Sequence, residues 1–124
     1  MFNKVLLLGL VVDKPSMHTF ENGCKVANFT LKTTENWIDG KTGLSKERPQ
    51  YHKIAIFNDR IVDFLLGKVD IGSTVYIEGQ SEGRKHVDVY GDSHHLVQIV
   101  LRSGRGQLTL IDAKDKEITT EFQS

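Results

Sequence analysis

The clearest pattern along the chain is a short alternation. Residues Tyr51 to Phe57 read Tyr-His-Lys-Ile-Ala-Ile-Phe. Successive side chains of a β-strand point to opposite sides of a sheet, so a strand here sorts them onto two faces. Ile54 and Ile56 fall on one face with His52, which suits a core. Tyr51, Lys53 and Phe57 fall on the other, spaced by small Ala55. Flat rings beside an ammonium suit unpaired nucleotides instead, because rings stack on bases and the cation meets phosphates.

The rest of the chain reads outward from that strand. Val5 to Val12 is apolar on both alternating faces, which predicts a strand covered on both sides, the second by a partner subunit or by the chain itself. A short core helix is the other reading; Gly9 and the valines favour a strand. Asp13 to Ser16 is a turn, Met17 to Phe20 a short strand, and Asn22-Gly23 a second turn. In the next strand, Cys24 to Thr33, Ala27, Phe29 and Leu31 share one face, and Val26, Asn28, Thr30 and Lys32 the other. Glu35 to Pro49 is polar, carries Gly40 and Gly43, and reads as a long loop bearing Trp37 either folded back or exposed.

Asn58 or Asp59 caps a helix in which Ile61, Phe64 and Leu65 recur at helical spacing, widened by Val62 and Leu66 and ended by Gly67 and Gly72. Ser73 to Gln80 is a strand with Val75 and Ile77 inward and Thr74, Tyr76, Glu78 and Gln80 outward; Gly79 marks a close approach or a bend. Glu82 to His94, with Arg84-Lys85-His86 and Gly91, predicts an extended hairpin. Leu96 to Leu101 follows as a strand and Gln107 to Ile111 as one more. No period is sustained from Asp112 onward, so residues 112–124 are expected to form a loosely ordered tail after a folded unit over 1–111.

Composition narrows the class. A chain of 124 residues, 39% hydrophobic and 26% charged, is one soluble module. Sixteen basic and sixteen acidic residues cancel, which argues against histone-like binding by net charge alone. The distribution is uneven. Lys25, Lys32, Lys41, Lys46, Arg48 and Lys53 outnumber Glu35, Asp39 and Glu47 in the middle, and acidic residues predominate after Ile111. The single Cys24 excludes an intrachain disulfide framework and suits a reducing compartment. The N-terminal apolar run is too short for a membrane span, and no cleavage pattern follows it. The expected location is therefore the cytoplasm.

Catalytic chemistry finds no foothold. Gly40-Lys41-Thr42 resembles the end of a phosphate loop, but Glu35 stands where its first glycine is required. His86, His94 and His95 lie close in sequence, yet the last two would face opposite sides of a strand, and no ligand quartet is apparent. Asp88 and Asp92 read as turn residues and His52 as a packed, hydrogen-bonded side chain. No enzyme activity, cofactor or metal is expected.

Five principal strands with a helix between the third and fourth predict an all-β OB-fold, a five-stranded Greek-key barrel that binds oligonucleotides on one face and through its long loops. Several blocks then carry a likeness. Asn3-Lys4-Val5, Val26-Ala27-Asn28-Phe29-Thr30-Leu31, Glu35 to Trp37, Tyr51-His52-Lys53 ending in Phe57, and Val75-Tyr76-Ile77-Glu78-Gly79-Gln80 followed by Arg84-Lys85 resemble the bacterial-type single-stranded DNA-binding protein family (SSB family) from about Asn3 to about Ile111.

The resemblance implies a homotetramer that coats and protects single-stranded DNA in replication, recombination and repair, associated with the nucleoid. The family's stacking positions fall on Trp37, Tyr51, Phe57 and His86, and its basic positions on Lys4, Lys53, Arg84 and Lys85. Lys32 and Arg48, from the basic middle of the chain, complete the candidate set. Tyr51 and His86 replace larger rings, which predicts weaker or more pH-dependent stacking. Asp70 replaces a basic position, with Lys68 nearby, and Gly9-Leu10 replaces a Gly-Asn. The sequence ends Thr120-Glu121-Phe122-Gln123-Ser124, without the acidic tip and terminal Phe through which relatives recruit replication and repair proteins, as in organelle-type, phage-borne or accessory members. The competing expectation is an OB-fold adaptor or primosome-like scaffold that mainly contacts protein.

Overall fold

The computed structural model describes residues 1–112 and the backbone of residues 120–123. Its elements follow in the order β1 (Val5–Val11), β2 (Ser16–Thr19), β3 (Lys25–Ile38), β4 (Ser45–Ile56), α1 (Asp59–Lys68), β5 (Thr74–Val87), β6 (Ser93–Leu101), β7 (Gln107–Asp112) and β8 (Thr120–Gln123). Five strands close a ring. β1 pairs with β3, β3 with β4, β4 in parallel with β6, β6 with β5, and β5 back to β1. With α1 between the third and fourth of these, the architecture is the OB-fold barrel that the sequence predicts.

Alternation decides what fills the barrel. Val11, Ala27, Phe29, Leu31, Ile54, Ile56, Val75, Ile77, Ile99 and Leu101 point inward as one buried cluster, joined by Ile61, Val62 and Leu65 from α1. The helix begins where expected: the Asn58 side chain accepts hydrogen bonds from the backbone N–H groups of Arg60 and Ile61 at 3.0 and 3.1 Å. It runs through Gly67 to Lys68, with Val69 as its C-cap. At Gly79 a Cβ would sit 2.8 Å from the Val100 carbonyl oxygen, so glycine is what lets β5 cross β6 this closely.

Of the two sides of β1 expected to be covered, the chain itself covers only one. Val11 is buried and Val5 and Leu7 pack on the core, but Leu6, Leu8 and Leu10 stand 55%, 59% and 39% exposed on the outside of the barrel. The segment read as a loop from Glu35 to Pro49 is mostly strand: β3 and β4 pair continuously from Ala27–Ile56 to Ile38–Ser45, leaving only Asp39 to Leu44 as the turn. Its polar residues gave no alternation because the ribbon projects beyond the barrel and has no face to bury. The stretch read as an extended hairpin is one: β5 and β6 pair from Gln80–Val100 to Val87–Ser93. The expectation of a loosely ordered tail over 112–124 lies largely outside the described residues. Within it, Asp112 ends β7 and Thr120–Gln123 pairs antiparallel to β7.

Candidate nucleic-acid interface

The outside of the barrel carries the candidate site. Register places Lys32 opposite Tyr51, Thr30 opposite Lys53 and Asn28 opposite Ala55, all pointing outward. Tyr51 is 61% exposed, and the Lys53 ammonium donates to the Thr30 hydroxyl at 3.3 Å. The face that the sequence predicts for β4 therefore exists, and β3 adds Lys32 to it. Beside Lys53 lies a small cup of about 130 Å³ lined by Asp13, Lys14, Asn28, Thr30 and Gln98 among others. Its floor is tied down by the Thr30 N–H donating to the Asp13 carboxylate at 2.7 Å. His52, on the inward face, shares a 2.9 Å hydrogen bond with the Thr33 hydroxyl, the satisfied histidine its position suggests.

Further along β4 the outer face becomes apolar. Val26, Ala55 and Val100 form a small buried cluster on the outside of the barrel, with Phe57 packed against it. Alternation along the chain does not show what lies over Phe57. The Arg102 guanidinium carbon is 5.0 Å from the ring centroid, within cation–π range. The same guanidinium donates from Nε and Nη2 to the two carboxylate oxygens of Glu82 at 2.8 and 2.7 Å, while the Gln80 amide donates to Glu82 at 2.6 Å. The hydrogen bonds from Arg102 hold the Glu82 carboxyl below its usual range, and Glu82 in turn raises the Arg102 guanidinium. Arg102 follows a strand and precedes Ser103-Gly104, so in sequence it reads as a turn residue. Nothing there signals that its side chain reaches back to β5.

The remaining predicted residues divide by face. Along the β5–β6 hairpin, Arg84 and His86 are outward and exposed, His86 directly opposite His94, whereas Lys85 pairs with His95 on the other side. The hairpin tip is built around Asp88. Its carboxylate accepts from the N–H groups of Tyr90 and Asp92 and from the His94 ring at 2.8 Å, and that ring contact lowers its pKa. The sequence singled out neither Tyr90 nor Val89, which are almost fully exposed at this tip.

On the β3–β4 ribbon, Trp37 lies opposite Lys46, five residues on from Lys32, and so on the side of the ribbon away from Tyr51 and Lys53. Trp37 is 40% exposed, with the Arg48 guanidinium 5.1 Å from its ring centroid. Lys4 is ion-paired with Glu78 at 2.7 Å, which raises its pKa. The structure thus brings Lys32, Tyr51, Lys53, Phe57, Arg84 and His86 onto the outer surface. It sets Trp37, Arg48 and Lys85 on the opposite faces of the two ribbons that project from it.

A larger cavity, about 810 Å³, opens between Met1 to Lys4, the start of β7 and Gln80. Arg105 lines it and also acts on the Glu82 carboxylate, so the cavity adjoins the Arg102 network. Among the described residues, no group of three or more His, Cys, Asp or Glu is placed to hold a metal ion, and no helix is long and apolar enough to cross a membrane.

Comparison with known proteins gives one answer. The family model described as the single-strand binding protein family matches residues 2–107. Among curated relatives, the single-stranded DNA-binding protein of Rickettsia conorii is 39% identical over 113 residues, covering 91% of this chain and 74% of its own. That of Rickettsia felis is 37% identical over 119 residues, covering 96% and 78%. Among solved structures, a Plasmodium falciparum SSB in complex with ssDNA superposes with a TM-score of 0.83 at 30% identity, covering 90% of this chain and 96% of that one.

Proposed function

The chain belongs to the single-strand binding protein family, and from that premise we propose that it binds and protects single-stranded DNA without sequence preference, in replication, recombination and repair. The observation that carries the reading is the outer face of β3 and β4, where an exposed Tyr51 lies opposite Lys32 and two residues from Lys53 on the same side of a rigid sheet. Rings give affinity for any base, and cations give affinity for any phosphate; neither reads an edge pattern. Phe57 continues this line just past the end of β4, and Arg84 and His86 extend it onto the hairpin. Trp37, Arg48 and Lys85 come into play where a strand passes around the ribbons, and Lys4 beside Glu78 at the N-terminal end.

In this reading the binding unit spans residues 1–111, with 112–124 as a short appendage, and the protein works without catalysis in the cytoplasm on the nucleoid. It assembles as a homotetramer. The exposed Leu6, Leu8 and Leu10 row supplies the apolar surface for that assembly. A titration of labelled oligo-dT against duplex of equal length, at two salt concentrations, tests the function. Expected are tight binding to the single strand, weak binding to duplex, and affinity falling steeply with salt. Weak binding to both, with a replication protein co-purifying, would favour the adaptor reading instead.

A further inference from the structure

We propose that Arg102 is a nucleic-acid-binding residue, its guanidinium forming with Phe57 a two-layer stacking platform that Glu82 positions. The inference rests on the single-strand-binding reading above. The guanidinium lies over the Phe57 ring at 5.0 Å, and that ring sits on the outer cluster of Val26, Ala55 and Val100. Its orientation is fixed from the side: Nε and Nη2 form a two-pronged contact with the Glu82 carboxylate at 2.8 and 2.7 Å, and Gln80 fixes that carboxylate in turn at 2.6 Å. A fork–fork pair engages the edge of the guanidinium and leaves its planar faces to other groups. One face meets Phe57. The side chain remains 40% exposed, so a base can reach the group, and arginine planes stack bases as rings do.

Two further features suit a binding role better than a structural one. Among the described residues, Nη1 has no hydrogen-bond partner, so a donor remains for a phosphate beside the stacked base. An exposed ion pair also adds little to stability by itself, which gives a purely structural reading of the network little to explain. Glu82 holds the guanidinium flat and offsets its charge, so the platform stacks without adding a full positive charge to the track.

The test uses the full chain, fluorescence anisotropy with labelled oligo-dT at two salt concentrations, and thermal melts as the control for folding. R102A is expected to weaken binding roughly 5- to 150-fold, the range for losing one stacked base. R102K keeps the charge but loses the plane, and is expected to weaken binding with the salt dependence close to that of the parent chain. E82Q frees the Arg102 charge for phosphate and is expected to steepen the salt dependence.

Unchanged or tighter binding by R102A at the parent melting temperature would make Arg102 a lid over Phe57 and overturn the proposal. If R102A does not fold, unimpaired binding by R102K overturns it equally. An unchanged salt dependence in E82Q removes the role given to Glu82. A parent chain that does not bind oligo-dT defeats the single-strand-binding reading and this inference together, whereas a parent that binds while R102A and R102K bind as well defeats only the inference.

Discussion

At the scale of single residues, the site separates two physical contributions that can be measured apart. Tyr51 supplies ring area on an exposed position of β4, so Tyr51→Ala is expected to cost about 1–3 kcal/mol of binding to oligo-dT while leaving its salt slope alone. Lys53 supplies a charge, and Lys53→Ala is expected to flatten the slope of log affinity against log salt by about one, uniformly across sequences. Equal slopes for both variants in parallel titrations would contradict that division.

Glu82 gives a third expectation at this scale. Its carboxyl is held below the ordinary glutamate value of 4.5 by Arg102, so the pair's contribution to stability is complete above that value and is lost as pH falls through the lower, folded-state value. Carboxyl NMR titration is expected to show Glu82 titrating below the ordinary glutamate value, and Arg102→Ala to return it toward that value. Tyr51, Lys53 and Phe57 were legible in the sequence because alternation alone assigns their face. Arg102 was not, because its role depends on where a long side chain travels after the strand ends.

At the scale of elements, the sequence showed a strand or helix clearly wherever one face had to be buried. The Phe29 and Leu31 face of β3, the Ile54 and Ile56 face of β4 and the Ile61 and Leu65 stripe of α1 were all visible for that reason. The outer half of the β3–β4 ribbon was not. Thr33 to Ile38 and Ser45 to Gln50 pair fully but contribute nothing to the buried core, so burial imposes no pattern on them. The consequence reaches the site. Read as a loop, the segment left Trp37 free to join Tyr51; as a paired ribbon, it fixes Trp37 on the reverse side under Arg48.

The helix offers the cleanest stability test at this scale. Asn58 is buried and its side-chain oxygen satisfies two backbone donors that α1 cannot satisfy itself. Asn58→Ala is expected to lower stability by about 0.5–2 kcal/mol in chemical denaturation, with oligo-dT affinity unchanged in the folded fraction. A loss of affinity at full folding would mean that α1 does more than plug the barrel.

At the scale of the whole molecule, the two surfaces of β1 set the terms. Its inner residues belong to the core, while Leu6, Leu8 and Leu10 form an exposed apolar row beside the outward-facing Thr74, Tyr76 and Glu78 of β5. Among the described residues, β1 also has one unpaired edge from Val5 to Leu8, since β3 pairs only with Leu10 and Val11 and its Lys32 carbonyl lies against Gly9. An apolar face next to an open strand edge is a hazard for a single chain and an asset for a symmetric assembly, because a second copy can satisfy both at once. Burying each leucine is worth about 1.5–3 kcal/mol, and a two-fold contact counts each of them twice. Leu8→Glu places a carboxylate in the middle of that row, where burial without a partner is strongly unfavourable. Sedimentation analysis is expected to show the parent chain as an oligomer and Leu8→Glu as a smaller species with its β-sheet circular dichroism intact. The Tyr51 and Lys53 face lies on other strands of the same barrel, so the dissociated variant should still bind a short oligo-dT with near-parent affinity per chain. Long single strands, which reward several linked sites at once, should lose far more. If the variant stays fully assembled, the leucine row is not the contact that joins the copies.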